Sequence, residues 1–146
     1  MCANTNNEAQ IRALVEQWVS AVREKNVEAI LSLYAKDALF FDLAPPLRYS
    51  GIQAYRKSLE DWFRTFEVGV DYEIRDLRII ASDDVAFTDS LNHMTGKRTD
   101  GEDTDVWLRA TIGFRKIDGK WLVVHEHVSV PFYMDGSYRA AVDLKP

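Results

Sequence analysis

Only one cysteine occurs in the 146 residues, Cys2, inside a polar leader (CANTNNEAQ). Neither a disulfide nor a cysteine metal cage is therefore available to hold the fold, and Cys2 is read as incidental. No apolar stretch reaches the roughly 18 residues of a membrane span, and the leader lacks a signal-peptide pattern, so the expected location is the cytoplasm. Basic runs are also missing. With 18 Lys and Arg against 23 Asp and Glu, the formal net charge is -5, which argues against nucleic acid or an anionic membrane as the main partner, because both select clustered cations. There is no internal repeat, low-complexity tract or linker. What is present is a chain 47% hydrophobic, enough for one domain with a real core and a ligand cavity. A single domain over 1–146 is expected, with 1–7 frayed and 133–146 a peripheral tail.

The first half reads as helices. From Glu8, the residues Ile11, Leu14, Val15, Trp18, Val19 and Val22 recur at helical spacing up to Lys25-Asn26. A short second helix, Val27 to Tyr34, follows, then a short strand from Leu39 to Asp42. Pro45-Pro46 forbids helix and forces an extended loop through Ser50. After Gly51 a third helix carries Tyr55, Leu59, Trp62, Phe63 and Phe66 on one stripe. That stripe is either core packing or, in part, the wall of a ligand site.

The second half reads as strands: Val70 to Ala81, Val85 to Thr95, Asp105 to Ile117 and Lys120 to Phe132, with turns at Ser82-Asp83-Asp84 and Asp118-Gly119. Consecutive long strands pair antiparallel, giving an α+β layout with helices first and a meander after. In the last run, strict alternation puts Trp121, Val123, His125, His127 and Ser129 on one side. Leu122, Val124, Glu126, Val128 and Val130 fall on the other. Glu126 is a carboxylate in a valine row, so it is paired, partly solvated, or held near protonation by burial. His125 and His127 share a face about 7 Å apart by strand rise. They suit an interface, a proton relay, or a metal if a third ligand exists, and the hairpin register decides which face they take. No metal and no cofactor are expected.

Helices ending in Tyr34-Ala35-Lys36-Asp37-Ala38, a proline-bearing strand exit, then Gly51 with its helix lead into four strands closing on Asp118-Gly119-Lys120-Trp121 with His125, His127 and Ser129. Over roughly 8–132 this resembles the SnoaL-like, ketosteroid-isomerase-like branch of the nuclear-transport-factor-2-like superfamily. The resemblance implies a cystatin-like α+β cone, three N-terminal helices packed on a strongly bent antiparallel sheet, with a hollow between. It also implies a homodimer through the outer sheet face, and it leaves function open between isomerases, dehydratases, cyclases and non-catalytic binders.

Carried over by position, the resemblance makes Asp42 the general base. Trp18 stands where ketosteroid isomerase has its oxyanion-binding tyrosine, and Thr111 or Ile112 where it has a second, acidic donor. Losing one such donor costs about a hundred- to a thousand-fold, so steroid isomerisation by that mechanism is not expected. The same carry-over sends Val124, Glu126, Val128, Phe87, Asp89 and Leu91 into the hollow and His93 to its rim. Asp42, Glu126 and Asp89 are then the candidate catalytic acids, with Trp18, Tyr55, Trp62, Phe87, His93 and Val128 binding the ligand. Arg109, His125, His127 and Ser129 are candidates for an interface or relay. Alternatively Asp89 or Glu126 pairs with Arg109 or Arg48 and is structural. The expected ligand is a small apolar or aromatic molecule; the alternative is a non-catalytic ligand-binding or dimerisation module.

Overall fold

The computed structural model describes residues 2–146, without the side chains of residues 2–4, so the reading of the Cys2 thiol lies outside what is described. The chain runs α1 (Cys2–Arg23), α2 (Val27–Leu31), β1 (Tyr34–Phe41), β2 (Tyr49–Ser50), α3 (Ile52–Arg64), β3 (Asp71–Ala81), β4 (Val85–Lys97), β5 (Asp103–Ile117) and β6 (Lys120–Ser129). Among these residues no helix is long and apolar enough to cross a membrane.

Local chemistry fixes the joints. α1 ends because Lys25 takes a left-handed φ of 52°. Its N–H then donates to Val22 and that of Asn26 to Ala21, so the last carbonyls are satisfied in the Schellman arrangement. Asn26 at once begins α2, its side chain accepting from the Ala29 amide at 3.0 Å. Asp118 and Gly119, at φ 51° and 78°, form the two-residue turn that sets Ile117 opposite Lys120.

One six-stranded sheet has the order β2-β1-β6-β5-β4-β3. β3 to β6 form the expected antiparallel meander. β1 joins parallel to β6, so the sheet as a whole is mixed. Two surplus residues interrupt it. Asp76 and Leu77 stand opposite Ser90 alone, Asp76 at φ 55°. Val124 has no partner between Gly113↔His125 and Phe114↔Val123. Such bulges bend a strand and re-phase its side chains. Trp121 and Val123 therefore point inward, and so do Glu126 and Val128 beyond the bulge. The strict alternation read from sequence fails here, because it assigns Trp121 and Glu126 to opposite faces.

The helices cover the concave face. Ile11, Val22, Ile30, Leu59, Phe63, Phe40 and Phe114 are among the most buried side chains of the core. Both end segments make contacts with the body of the fold. α1 reaches back to residue 2, and Asn7, 4% exposed, donates to the Ser82 carbonyl while its oxygen accepts from Lys116 and Trp121. The tail folds back, with Ala141 donating to the Pro131 carbonyl and Phe132 bridging Ala140.

Candidate functional site

A cavity of about 670 Å³ lies between the helices and the concave face of the sheet, within the range of small-molecule pockets. Its walls are mostly apolar, and three carboxyl groups line it: Asp42, Glu126 and Asp61, the last paired with Lys57. Asp42 follows β1 directly, at the start of the proline loop. Its Oδ1 accepts from the Leu43 amide at 2.7 Å, and the Ser58 hydroxyl of α3 donates to Oδ2 at 3.4 Å. Burial raises its pKa above the usual aspartate range, outweighing those two bonds.

Glu126 is 7% exposed. Tyr34 donates to its Oε1 at 3.0 Å and Tyr55 to its Oε2 at 3.2 Å, while Tyr34 accepts from the Trp18 indole N–H at 2.9 Å. Burial, with the charge of Asp42 second, lifts its pKa to about 7 against the stabilising tyrosine bonds. Neither Asp42 nor Glu126 takes part in any ion pair among the described residues. Burial and the Glu126 charge push the Tyr34 and Tyr55 hydroxyls well above the ordinary phenol range, so both remain donors. The arrangement joins a carboxyl half-protonated near neutrality to a second carboxylate and three ordered N–H or O–H donors. Those are the elements of proton transfer.

Of the residues singled out from sequence, Asp42, Glu126, Trp18, Tyr55, Trp62 and Val128 meet at this cavity. Phe87, Asp89 and His93 do not. The inner residues of β4 are Ala86, Thr88, Ser90, Asn92 and Met94, so Phe87, Asp89, Leu91 and His93 lie on the outer face. Asp89 there pairs with Arg78 at 2.5 Å, and His93 stacks on Trp107 at 4.4 Å and meets Asp105 at 2.6 Å. The reversal has a physical cause. The carry-over by position set β4 one residue out of phase, and a one-residue slip turns every side chain of a strand to the opposite face. Val124, also expected inside, is the surplus residue of the β6 bulge.

His125 and His127 occupy the outer face, His125 Nδ1 bonding the Leu39 carbonyl at 2.8 Å and both rings meeting Phe41 edge-on. Arg109 donates to Ser129 at 3.2 Å on that same face. No cluster of metal-ligating side chains occurs among the described residues. Of the two candidates for a second oxyanion donor, Thr111 is exposed and Ile112 lines the cavity, so that place is apolar. Sequence reasoning missed Tyr34, which it placed on the apolar stripe of a helix, and the polar row Thr88, Ser90 and Asn92.

Helices closed over a bent sheet around a chamber holding carboxyl groups define the α+β cone of the NTF2-like proteins. The SnoaL-like domain matches residues 11–133, and the chain belongs to that family. An NTF2-like protein of unknown function from Pseudomonas putida KT2440 is 35% identical, with a TM-score of 0.88, over 97% of this chain and 98% of that one. A provisionally assigned scytalone dehydratase from Novosphingobium aromaticivorans shares the fold at 21% identity and TM-score 0.80, over 95% and 93% of the two chains. A ketosteroid isomerase-like protein from Erwinia carotovora atroseptica does so at 22% identity and TM-score 0.71, over 83% of this chain and 93% of that one. No curated protein matches the chain.

Proposed function

We propose that this chain is a cofactor-independent enzyme of isomerase, dehydratase or cyclase type, moving a proton on a small apolar or aromatic molecule. The carrying observation is two carboxyl groups without cationic partners in one apolar cavity. Asp42, less buried than Glu126, is the base that takes a proton from the substrate. Glu126, with Tyr34 and Tyr55 holding its oxygens, is the group that returns a proton or orients the substrate oxygen. The names of the dehydratase and isomerase-like neighbours agree with this class of chemistry.

Screening aromatic and polycyclic carbonyl compounds for turnover tests the reading. For a substrate so found, Asp42→Asn is expected to lower kcat by a hundred-fold or more, within the range general bases contribute, with binding retained. Unchanged turnover would remove Asp42 from the mechanism. The non-catalytic alternative draws support from the Trp18 N–H, which is spent on Tyr34 instead of standing free for a substrate oxyanion. It predicts ligand-induced thermal stabilisation without conversion. A homodimer through the outer sheet face belongs to the same proposal, supported by Ile80 and its cross-strand partner Phe87, which leave 46% and 39% of their surfaces exposed there.

A further inference from the structure

The cavity has a second polar region that the proton chemistry does not use. On its β3–β4 side the Tyr72 hydroxyl accepts from Asn92 Nδ2 at 3.0 Å, and Asn92 Oδ1 accepts from the Ser90 hydroxyl at 2.7 Å. Tyr72 is 3% exposed, Asn92 4% and Thr88 2%. All three line the cavity. Among the described residues the Tyr72 O–H is not a donor to any side chain or carbonyl, and the Thr88 hydroxyl makes no hydrogen bond. No buried side-chain polar atom among the described residues lacks a partner, so the unbonded Thr88 hydroxyl reaches the open space of the cavity, and the Tyr72 O–H is left to donate into it.

Trp18 stands between the two regions. Its N–H serves the Tyr34–Glu126 end, while its ring meets Tyr72 edge-on at 4.9 Å. Trp18 thus touches both polar regions, and Ile74, Met94, Leu108 and Ile112 also line the cavity. Among the described residues the only cation at the cavity is Lys57, which is exposed and paired with Asp61, whereas Asp42 and Glu126 have no such partner. An anionic ligand would meet repulsion without compensation.

We propose that Tyr72, with Thr88 and the Asn92–Ser90 pair behind it, forms a subsite for a hydrogen-bond-accepting oxygen at the far end of the ligand. The ligand class is then an uncharged, elongated aromatic or polycyclic molecule bearing oxygen functions at opposite ends. One end meets Glu126 and Asp42; the other meets Tyr72. This rests on the reading of the cavity as a small-molecule site.

Three fluorescent probes on one ring system test it with the full-length protein: a naphthol, the same naphthol with an acetyl group at the opposite end, and one with a carboxylate there instead. The acetyl compound is expected to bind about tenfold more tightly than the plain naphthol, the gain of one good hydrogen bond, and the carboxylate more weakly than either. Tyr72→Phe should bring the acetyl compound to within about twofold of the naphthol, whose own affinity stays unchanged. Equal binding of the naphthol and acetyl probes to the wild type would overturn the subsite alone, even if Tyr72→Phe fails to fold. An acetyl preference that survives Tyr72→Phe also overturns it. Failure of every probe to bind overturns the small-molecule reading, and the subsite with it.

Discussion

Glu126 is a carboxylic acid whose two oxygens each accept from a phenol inside an apolar wall, and its protonation couples directly to folding. Its pKa rises from 4.5 to about 7. Such an acid favours the native state while protonated, so its contribution is complete below pH 4.5 and is lost as pH climbs through about 7. That loss is on the order of 3 kcal/mol. Glu126→Gln should gain on the wild type by a similar amount across this window, read from urea unfolding at each pH. A constant gap between the two proteins would show that Glu126 titrates normally. Because the Tyr55 bond lowers this pKa, Tyr55→Phe should raise it further, as followed by carboxyl carbon NMR. Glu126 was legible in the sequence as an intruder among valines. Tyr34 was not, since a tyrosine on an apolar stripe shows its ring to the pattern and hides its hydroxyl.

At the scale of the elements, two joints carry more than their sequence suggests. Asn7 lies before the first apolar residue of α1, in a polar leader that reads as frayed, yet it ties α1 to the Ser82 turn, β5 and β6. Periodicity cannot find a polar residue buried for its hydrogen bonds. Asn7→Ala should cost about 1–3 kcal/mol by leaving buried partners unmet, measured by chemical denaturation. Gly96 is the second joint. A Cβ there would lie 2.7 Å from the Phe66 ring, which is itself 4% exposed and flanked by Trp62. The ring cannot swing aside, and Gly96→Ala is expected to cost about 1–3 kcal/mol as an overpacked site. Gly113, where a Cβ would meet nothing nearer than 3.5 Å, provides the comparison. The strands themselves were legible from alternation and turn residues. Their bulges were not, because a surplus residue leaves composition unchanged and breaks the count that assigns faces.

For the whole molecule, the α+β cone and its helix-over-sheet order could be read from the sequence, whereas which wall of the sheet faced the helices could not be read for β4. A solid core would have put Phe87 and Leu91 inside; a hollow one puts Thr88, Ser90 and Asn92 there and turns the larger residues outward. Those outward residues lead to a prediction about assembly. Sedimentation should find a dimer, and Phe87→Glu should dissociate it while leaving probe binding in the cavity intact, as the two faces are opposite sides of one strand. A wild-type monomer at high concentration would dismiss the interface.

Val124 has a consequence for how such a molecule changes over time. It has no partner in β5, and the residues on either side of it already lie on their final faces: Val123 and Glu126 inward, His125 outward. Deleting it would leave every neighbour facing as before and would only straighten the strand. A single-codon loss or gain at this place would alter the curvature of the vessel, and hence the size of guest it admits, without rewriting any of the side chains that greet the guest.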